Sequence, residues 1–476
     1  MVLTFLHFNE QMIRMTKTPD QDKFLKVLNN AVDLFIDNSK RNYKKVIAIS
    51  HNDADGISSL EIIRNLLYKL RLNYDYFIYN RAVSWANYLK GILPKNQNTH
   101  KAFIFTDIGS NLKELIPIVS KRKEDFYILD HHEVDNFDNS KELPENFFFV
   151  NPTIFGFDGL DHIAGATLAY MFAKRIKSSI LKQGWLTIIG IAGDSLRSMD
   201  KLQSFNKEIY KEICEENLIE NKAGLILFGS MHESIKNGLK YSILPFVSGF
   251  GGEEDSKIKN FLNKLNINPS KKVVNLNPSE IQNIQKKTNL SIGSFALLPQ
   301  KQGLLHFAFE HALLLNILSF KNISAALSII QQKSITRYAK ELYYEYITNL
   351  TKNLKMISNE KPFFETNKAI FIDAGNGKIP PSIWSDTASF SAVNDIFNPN
   401  KILLLGGLEK KTQMIKLSIR CSRKYLEKEE HIGVNEIINK IKVNLGGTGG
   451  GHKLAGGIRL SKPSFNLLKQ RIDEYI

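Results

Sequence analysis

Four short polar segments constrain this chain more than any other feature. They are His51-Asn52-Asp53-Ala54-Asp55-Gly56, Thr106-Asp107, Asp130-His131-His132 and Gly193-Asp194, each close behind an apolar run. One aspartate in such a place reads as a helix cap. Four in order read as a single site gathered at strand ends. The runs 46–49, 102–105 and 126–129 are short, β-rich and bounded by polar residues, and helix-like sequence follows the first two. That is the pattern of buried parallel strands in βαβ units, whose sheets bind ligands beyond the carboxyl ends of their strands.

The residue types point to metal chemistry. Asp53 and Asp55 lie two apart, so in an extended turn they face the same way, one carboxylate toward each of two ions. Gly56 then permits a sharp turn into a helix starting near Ile57. Carboxylates mixed with imidazoles suit Mn²⁺, with Mg²⁺ as the alternative, whereas thiolates favour zinc. The two cysteines, Cys214 and Cys421, lie outside these segments, which excludes a Cys-rich zinc site. Two ions about 3.5–4 Å apart share a bridging carboxylate, activate a water and clamp a phosphate.

This ordered set resembles the DHH phosphoesterase superfamily, named for the triplet that Asp130-His131-His132 matches. Within it the chain is similar to the RecJ-like single-strand exonucleases, above all their archaeal branch, which includes the nuclease associated with the GINS replication complex. The Ser-His-x-Asp-Ala-Asp-Gly-Ile pattern of that branch matches residues 50–57, while bacterial RecJ has Asp where His51 stands. The resemblance implies one ion on Asp53 and Asp107 with His51 as third ligand. It implies a second on Asp55, Asp107, His131 and Asp194, with Asp107 as the bridge. His132 then faces the scissile phosphate, and Asp130 orients the triplet.

A second constellation stands near the other end. Gly446-Gly447-Thr448-Gly449-Gly450-Gly451-His452 is rich enough in glycine to bring backbone N–H groups close to an anion as a phosphate nest, with His452 as a further donor. It is not a Walker A loop, because Lys453 is not followed by Ser or Thr. Arg420 offers a planar fork for phosphate, and Ser418 shares its strand face. These residues resemble the Gly-Gly-Gly-His and Ser-x-Arg signatures of the DHHA1 domain. The resemblance implies phosphate binding by Ser418, Arg420, Gly449, Gly450, Gly451, His452 and His132.

At 476 residues the chain exceeds one core. The expected architecture is α/β: a DHH catalytic domain over 1–200 with a mainly parallel sheet flanked by helices, a helical insertion and connector over 201–358, and a smaller α/β DHHA1 domain over 359–476, with the active site in the cleft between domains. A helix is expected over 20–38, another over 323–355, and strands at 369–372, 402–405 and 415–419. The net charge of +15 favours a polyanionic partner, all the more because the metal site itself is acidic. No apolar stretch reaches the roughly 20 residues that span a bilayer, and no basic n-region precedes residues 2–8. A cytoplasmic protein without membrane contact is expected, and two cysteines suit a reducing compartment. The resemblance implies an exonuclease on single-stranded DNA or RNA in replication or repair, with GINS as partner. Two alternatives stand beside it: a non-catalytic scaffold that binds GINS, and a phosphoesterase for short oligonucleotides or cyclic dinucleotides.

Overall fold

The apolar runs that precede the first three polar segments become parallel strands. A computed structural model describes residues 19–41, 43–79, 84–93, 100–134, 143–159, 161–195, 198–288, 290–375, 377–428, 430–451 and 453–476. Lys45–His51 (β1), Tyr74–Tyr79 (β2), Lys101–Thr106 (β3), Asp125–Leu129 (β4) and Phe147–Val150 (β5) form one sheet in the order β2-β1-β3-β4-β5, with every pair parallel. β1, β3 and β4 are buried along nearly their whole length, so their sequences run apolar instead of alternating. Ser50 pairs beside Thr106, and Thr106 beside Leu129. Three of the polar segments therefore leave the sheet at one end, where the strand order reverses between β1 and β3.

Helices Gln21–Arg41 (α1), Ala54–Lys69 (α2), Trp85–Ile92 (α3), Leu112–Val119 (α4), Gly165–Ile176 (α5), Trp185–Ser195 (α6) and Ser204–Glu215 (α7) accompany this sheet. On one face Phe103, Phe105 and Phe126 pack with Trp85 and Leu89 of α3 and with Leu115 and Val119 of α4. Trp85 also stacks on Tyr79, which makes it a core residue and not a base-stacking platform. On the other face Phe35 of α1 meets Tyr127 and Phe172 edge-on. α1 buries Phe24, Leu28, Val32 and Phe35 as its periodicity predicts, while Leu25 and Leu34 stay partly exposed.

Three local expectations are corrected. α2 begins at Ala54, three residues before the expected start, because Asp53 adopts the extended N-cap conformation and accepts the Gly56 N–H. Gly56 thus lies inside the first turn; a Cβ there would stand 2.5 Å from the His51 carbonyl oxygen, so close backbone approach and not a sharp turn requires the glycine. Asp194, expected at a strand end, lies on α6. The helix expected over 323–355 is broken. After Ala308–Lys321 (α8) come Ile323–Ile329 (α9) and Arg337–Ser358 (α10). The Lys301 ammonium donates to the Ile330 and Gln332 carbonyls at 2.7 and 2.6 Å, occupying acceptors that a continuous helix would use.

The residues up to Ala223 pack with Gly293–Lys340 as one compact unit, and Gly224–Ile292 with Glu341–Ile476 as a second. The stretch 201–358 is accordingly divided. α8 packs on α2 and α6 in the first unit, whereas Leu225, Ile235, Leu239, Ile258 and Leu262 share a core in the second.

In the second unit Phe364–Glu365 (β6), Ala369–Asp373 (β7), Ile402–Glu409 (β8), Met414–Arg420 (β9), Thr448–Gly451 (β10) and Ala455–Leu460 (β11) form a sheet in the order β10-β11-β9-β8-β7-β6. Only β7 and β8 run parallel. Trp384–Val393 (α11) packs on β8 and β9, while Val434–Leu445 (α12) and Lys462–Tyr475 (α13) bury Ile437, Ile441, Leu468 and Ile472 with Leu417, Ile419 and Ile458. The glycine-rich stretch expected as a nest-forming loop is an exposed edge strand, β10, paired antiparallel with β11. No helix among the described residues is long and apolar enough to cross a membrane.

Candidate metal centre

Asp55, the second residue of α2, is drawn into the protein. Its Oδ2 accepts the Gly165 N–H at 2.6 Å and its Oδ1 the Ala166 N–H at 2.8 Å. These are the first amides of α5, so the positive end of a helix holds the carboxylate. The structure assigns the small size of Gly165 to the acids: a Cβ would lie 2.7 Å from Asp55 Oδ2 and 2.9 Å from Asp107 Cβ. Gly190 does the same for α6, since a Cβ there would fall 2.4 Å from Asp55 Oδ1.

Asp107 follows β3 with φ of 59°, a left-handed conformation that Asp tolerates better than most residues. Its N–H donates to the Leu129 carbonyl at 2.9 Å, extending the β3–β4 ladder past the last strand residue. Oδ1 lies 3.0 Å from His131 Nε2, and Oδ2 lies 3.7 Å from His51 Nδ1, beyond hydrogen-bond reach. Asp107 Oδ2 and Asp194 Oδ2 are both buried without a hydrogen-bond partner. An unpartnered carboxylate oxygen away from water is costly, and two aimed into one acidic cluster fit a cation.

His131 and His132 leave β4 in different directions. His131 Nδ1 donates to the Gly159 carbonyl at 2.5 Å and lies 3.1 Å from that of Ile163. This turns Nε2 onto Asp107, with Asp55 Oδ2 and Asp194 Oδ2 each 3.5 Å away. A ring nitrogen anchored on a carbonyl while its partner faces carboxylates is how a ligating imidazole is held. His132 Nδ1 instead lies 2.7 Å from Asp130 Oδ1. Asp130 also accepts from Ser110, through N–H at 2.7 Å and Oγ at 2.6 Å, and from the His131 N–H at 2.8 Å. Asn151 ties Ser110 Oγ to the His132 carbonyl at 2.8 and 2.9 Å. Sequence reasoning misses Ser110 and the anchoring role of Asn151, for no local pattern sets a buried polar anchor apart from a capping residue.

Three sets of donor atoms, each within 4.8 Å, result: His51, Asp53 and Asp107; Asp55, His131 and Asp194; and Asp107, His131 and His132. Seven of the expected acids and histidines thus meet, and Asp107 and His131 are each common to two sets. Their mutual fields are large. Burial, with the charges of Asp107 and Asp53 adding to it, pushes Asp194 up to about 6 against the pull of His131. Burial and the Asp194 and Asp107 charges hold Asp55 above the usual carboxylate range. Burial alone would lower His51, but Asp53 and Asp107 push it up to about 10. His131 is raised the same way by Asp107, Asp194 and Asp55 against its burial. Asp130 behaves oppositely: His132, His131 and Ser110 outweigh its burial and hold it well below the carboxylate range.

The second expected constellation is arranged differently. Ser418 and Arg420 share one face of β9, opposite the core residues Leu417 and Ile419, and both are buried. The guanidinium, however, is directed to the protein. Nε donates to Ser389 Oγ at 2.8 Å, Nη1 to the Ile419 and Gly456 carbonyls at 2.8 Å each, and Nη2 to Ser385 Oγ at 2.7 Å and the Ser385 carbonyl at 3.3 Å. Its five N–H groups are all occupied. Gly449, Gly450 and Gly451 lie on the exposed edge strand. His452 lies outside the described residues.

Residues 45–192 match the family described as the DHH family, N-terminal domain. This segment is a DHH domain. The matched span carries β1 to β5 and every residue of the cluster except Asp194, two positions beyond it. The whole chain is 25% identical over 450 residues to an uncharacterized Methanocaldococcus jannaschii protein, covering 91% of this chain and 94% of that one. Among solved structures, CDC45 from Entamoeba histolytica superposes with a TM-score of 0.66 at 12% identity, over 95% of this chain and 98% of the other. RecJ from Thermus thermophilus in complex with Mn²⁺ gives 0.53 at 16% identity over 94% of this chain; the chain spans 54% of that longer protein. Both likenesses are of fold.

Proposed function

We propose that this protein is a two-metal phosphodiester hydrolase of RecJ-like type that degrades single-stranded nucleic acid from an end, in DNA replication or repair. The observation that carries it is the pair of buried, unpartnered oxygens, Asp107 Oδ2 and Asp194 Oδ2, in a site where backbone groups anchor Asp55 and His131 Nδ1. His51, Asp53 and Asp107 would hold one divalent ion, and Asp55, Asp107, His131 and Asp194 the other, with Mn²⁺ favoured by the mixture of carboxylate and imidazole. When bound, such a pair supplies Lewis-acid activation of water and neutralisation of phosphate charge.

The chain's own residues do the positioning. The first amides of α5 fix Asp55, and the Gly159 carbonyl fixes the tautomer of His131. Asp130 fixes His132 through Nδ1, so that Nε2 is the atom presented to an anionic oxygen. The net charge of +15 supports a polyanionic substrate. In this reading 359–476 is a DHHA1-type domain whose exposed strand Gly449 to Gly451, with Ser418 and His452, contacts phosphates.

The likeness to CDC45, which spans both chains almost whole, favours a second reading, a replication scaffold that binds GINS. Single-stranded DNA and RNA labelled at either end, together with dinucleotides, incubated with Mn²⁺, separate the readings. Stepwise shortening of a single strand supports the nuclease and reports polarity. Cleavage of dinucleotides alone supports the small-substrate phosphoesterase. No cleavage of any substrate, with GINS bound, supports the scaffold.

A further inference from the structure

The metal-centre reading leaves one element without a role: α8, buried on nearly all sides and packed against both α2 and α6. It carries Asn316, whose Oδ1 accepts the Ala54 N–H at 2.6 Å across 262 positions of sequence. A backbone N–H can only donate, so it is the amide oxygen of Asn316 that faces Ala54. We infer that Asn316 is a positioning residue that sets the spacing between the two metal subsites. The inference rests on the metal-centre reading above.

The first turn of a helix leaves four amides without intrahelical acceptors. In α2 the Gly56 N–H goes to Asp53 Oδ1 at 2.9 Å, which ties Asp53 down at the helix cap. The Ala54 N–H goes to Asn316. Ala54 stands between the two acids, and its neighbours serve different donor sets: Asp53 joins His51 and Asp107, whereas Asp55 joins His131 and Asp194. Holding the Asp53–Ala54 peptide plane from outside therefore fixes how far apart the two carboxylates point. No other described side chain is bonded to that amide.

Residue type argues the same way. A neutral amide oxygen accepts the hydrogen bond without adding charge beside Asp53, Asp55, Asp107 and Asp194. A leucine of similar size would pack in this apolar helix but would leave the Ala54 N–H without its acceptor. α8 lies 115 or more positions beyond the matched DHH segment, so the spacing of the pair is governed by a part of the chain outside that segment.

The test is Mn²⁺ titration of the full-length wild type, Asn316→Leu, Asn316→Ala and Asn316→Asp, read by calorimetry and by the electron paramagnetic resonance of the bound ions. Wild type is expected to bind two ions with an exchange-coupled signal. Asn316→Leu and Asn316→Ala should weaken the second ion at least about tenfold and give the six-line signal of isolated Mn²⁺, with kcat reduced and KM unchanged. Asn316→Asp keeps the acceptor while adding a charge, so it should keep the coupled signal even though the affinity for the ions changes. Two ions bound with wild-type affinity and coupling in Asn316→Leu or Asn316→Ala would overturn the role. Alanine adds no bulk, so a folding failure of the leucine variant leaves the test standing. Failure of wild type itself to bind a coupled pair would instead overturn the metal-centre reading.

Discussion

The two polar constellations of this protein look alike in sequence and are built in opposite ways. In the first unit, backbone groups anchor Asp55 and His131, and Asp107 Oδ2 and Asp194 Oδ2 are left without hydrogen-bond partners. In the second, a buried arginine has every N–H group bonded to its own protein. A preformed ligand site shows unsatisfied atoms converging on one point, because the ligand completes them. A structural cross-link shows saturation, because nothing further is coming. By that criterion the metal cluster is poised to bind, and Arg420 holds α11 and β11 to β9.

The largest expected effect breaks the comparison most directly. Asp107→Ala removes the one carboxylate shared by two donor sets and should lower hydrolysis by roughly a thousandfold or more. Near-normal turnover in Mn²⁺ would sink the site. Next comes Arg420→Met, which leaves Ser385, Ser389 and the Gly456 carbonyl without their donor. It should destabilise the protein by about 2–4 kcal/mol in denaturant melts, with Mn²⁺ affinity unchanged. An unaltered melt with a raised KM for single strands would show that the arginine serves substrate after all.

A smaller effect concerns pH. Asp194 is raised from an ordinary 3.8 to about 6, so between those values the metal-free folded protein binds protons that the unfolded chain does not. Its contribution to stability is therefore largest in acid and diminishes as pH rises through that window. A bound cation reverses this by displacing the proton, so below about pH 6 Mn²⁺ affinity should fall as pH falls. Melting curves with and without Mn²⁺ at pH 5, 6 and 7 should show a growing metal-induced rise in Tm, and Asp194→Asn should flatten it. The smallest effect sharpens the second region. At Gly450 an added Cβ would meet nothing within 4 Å, so Gly450→Ala should change stability by no more than about 0.5 kcal/mol. A clear rise in KM from that substitution would mark β10 as a strand that substrate approaches closely.

Sequence alone determined the parallel sheet, because strands buried on both faces must be apolar throughout and the polar residues that end them stand out. It also singled out the acids and histidines that meet in the first unit, since their types and order stand out behind the apolar runs. What it could not carry is which atoms are satisfied. Asp194 reaches the cluster from a helix, Asp55 is held by amides 110 positions away, and Asn316 caps α2 from 262 positions away. Arg420 read as an open fork until Ser385 and Ser389 of α11 were found bonded to it. Hydrogen-bond satisfaction is a property of packed neighbours from distant parts of the chain, and only the tertiary structure brings those neighbours together.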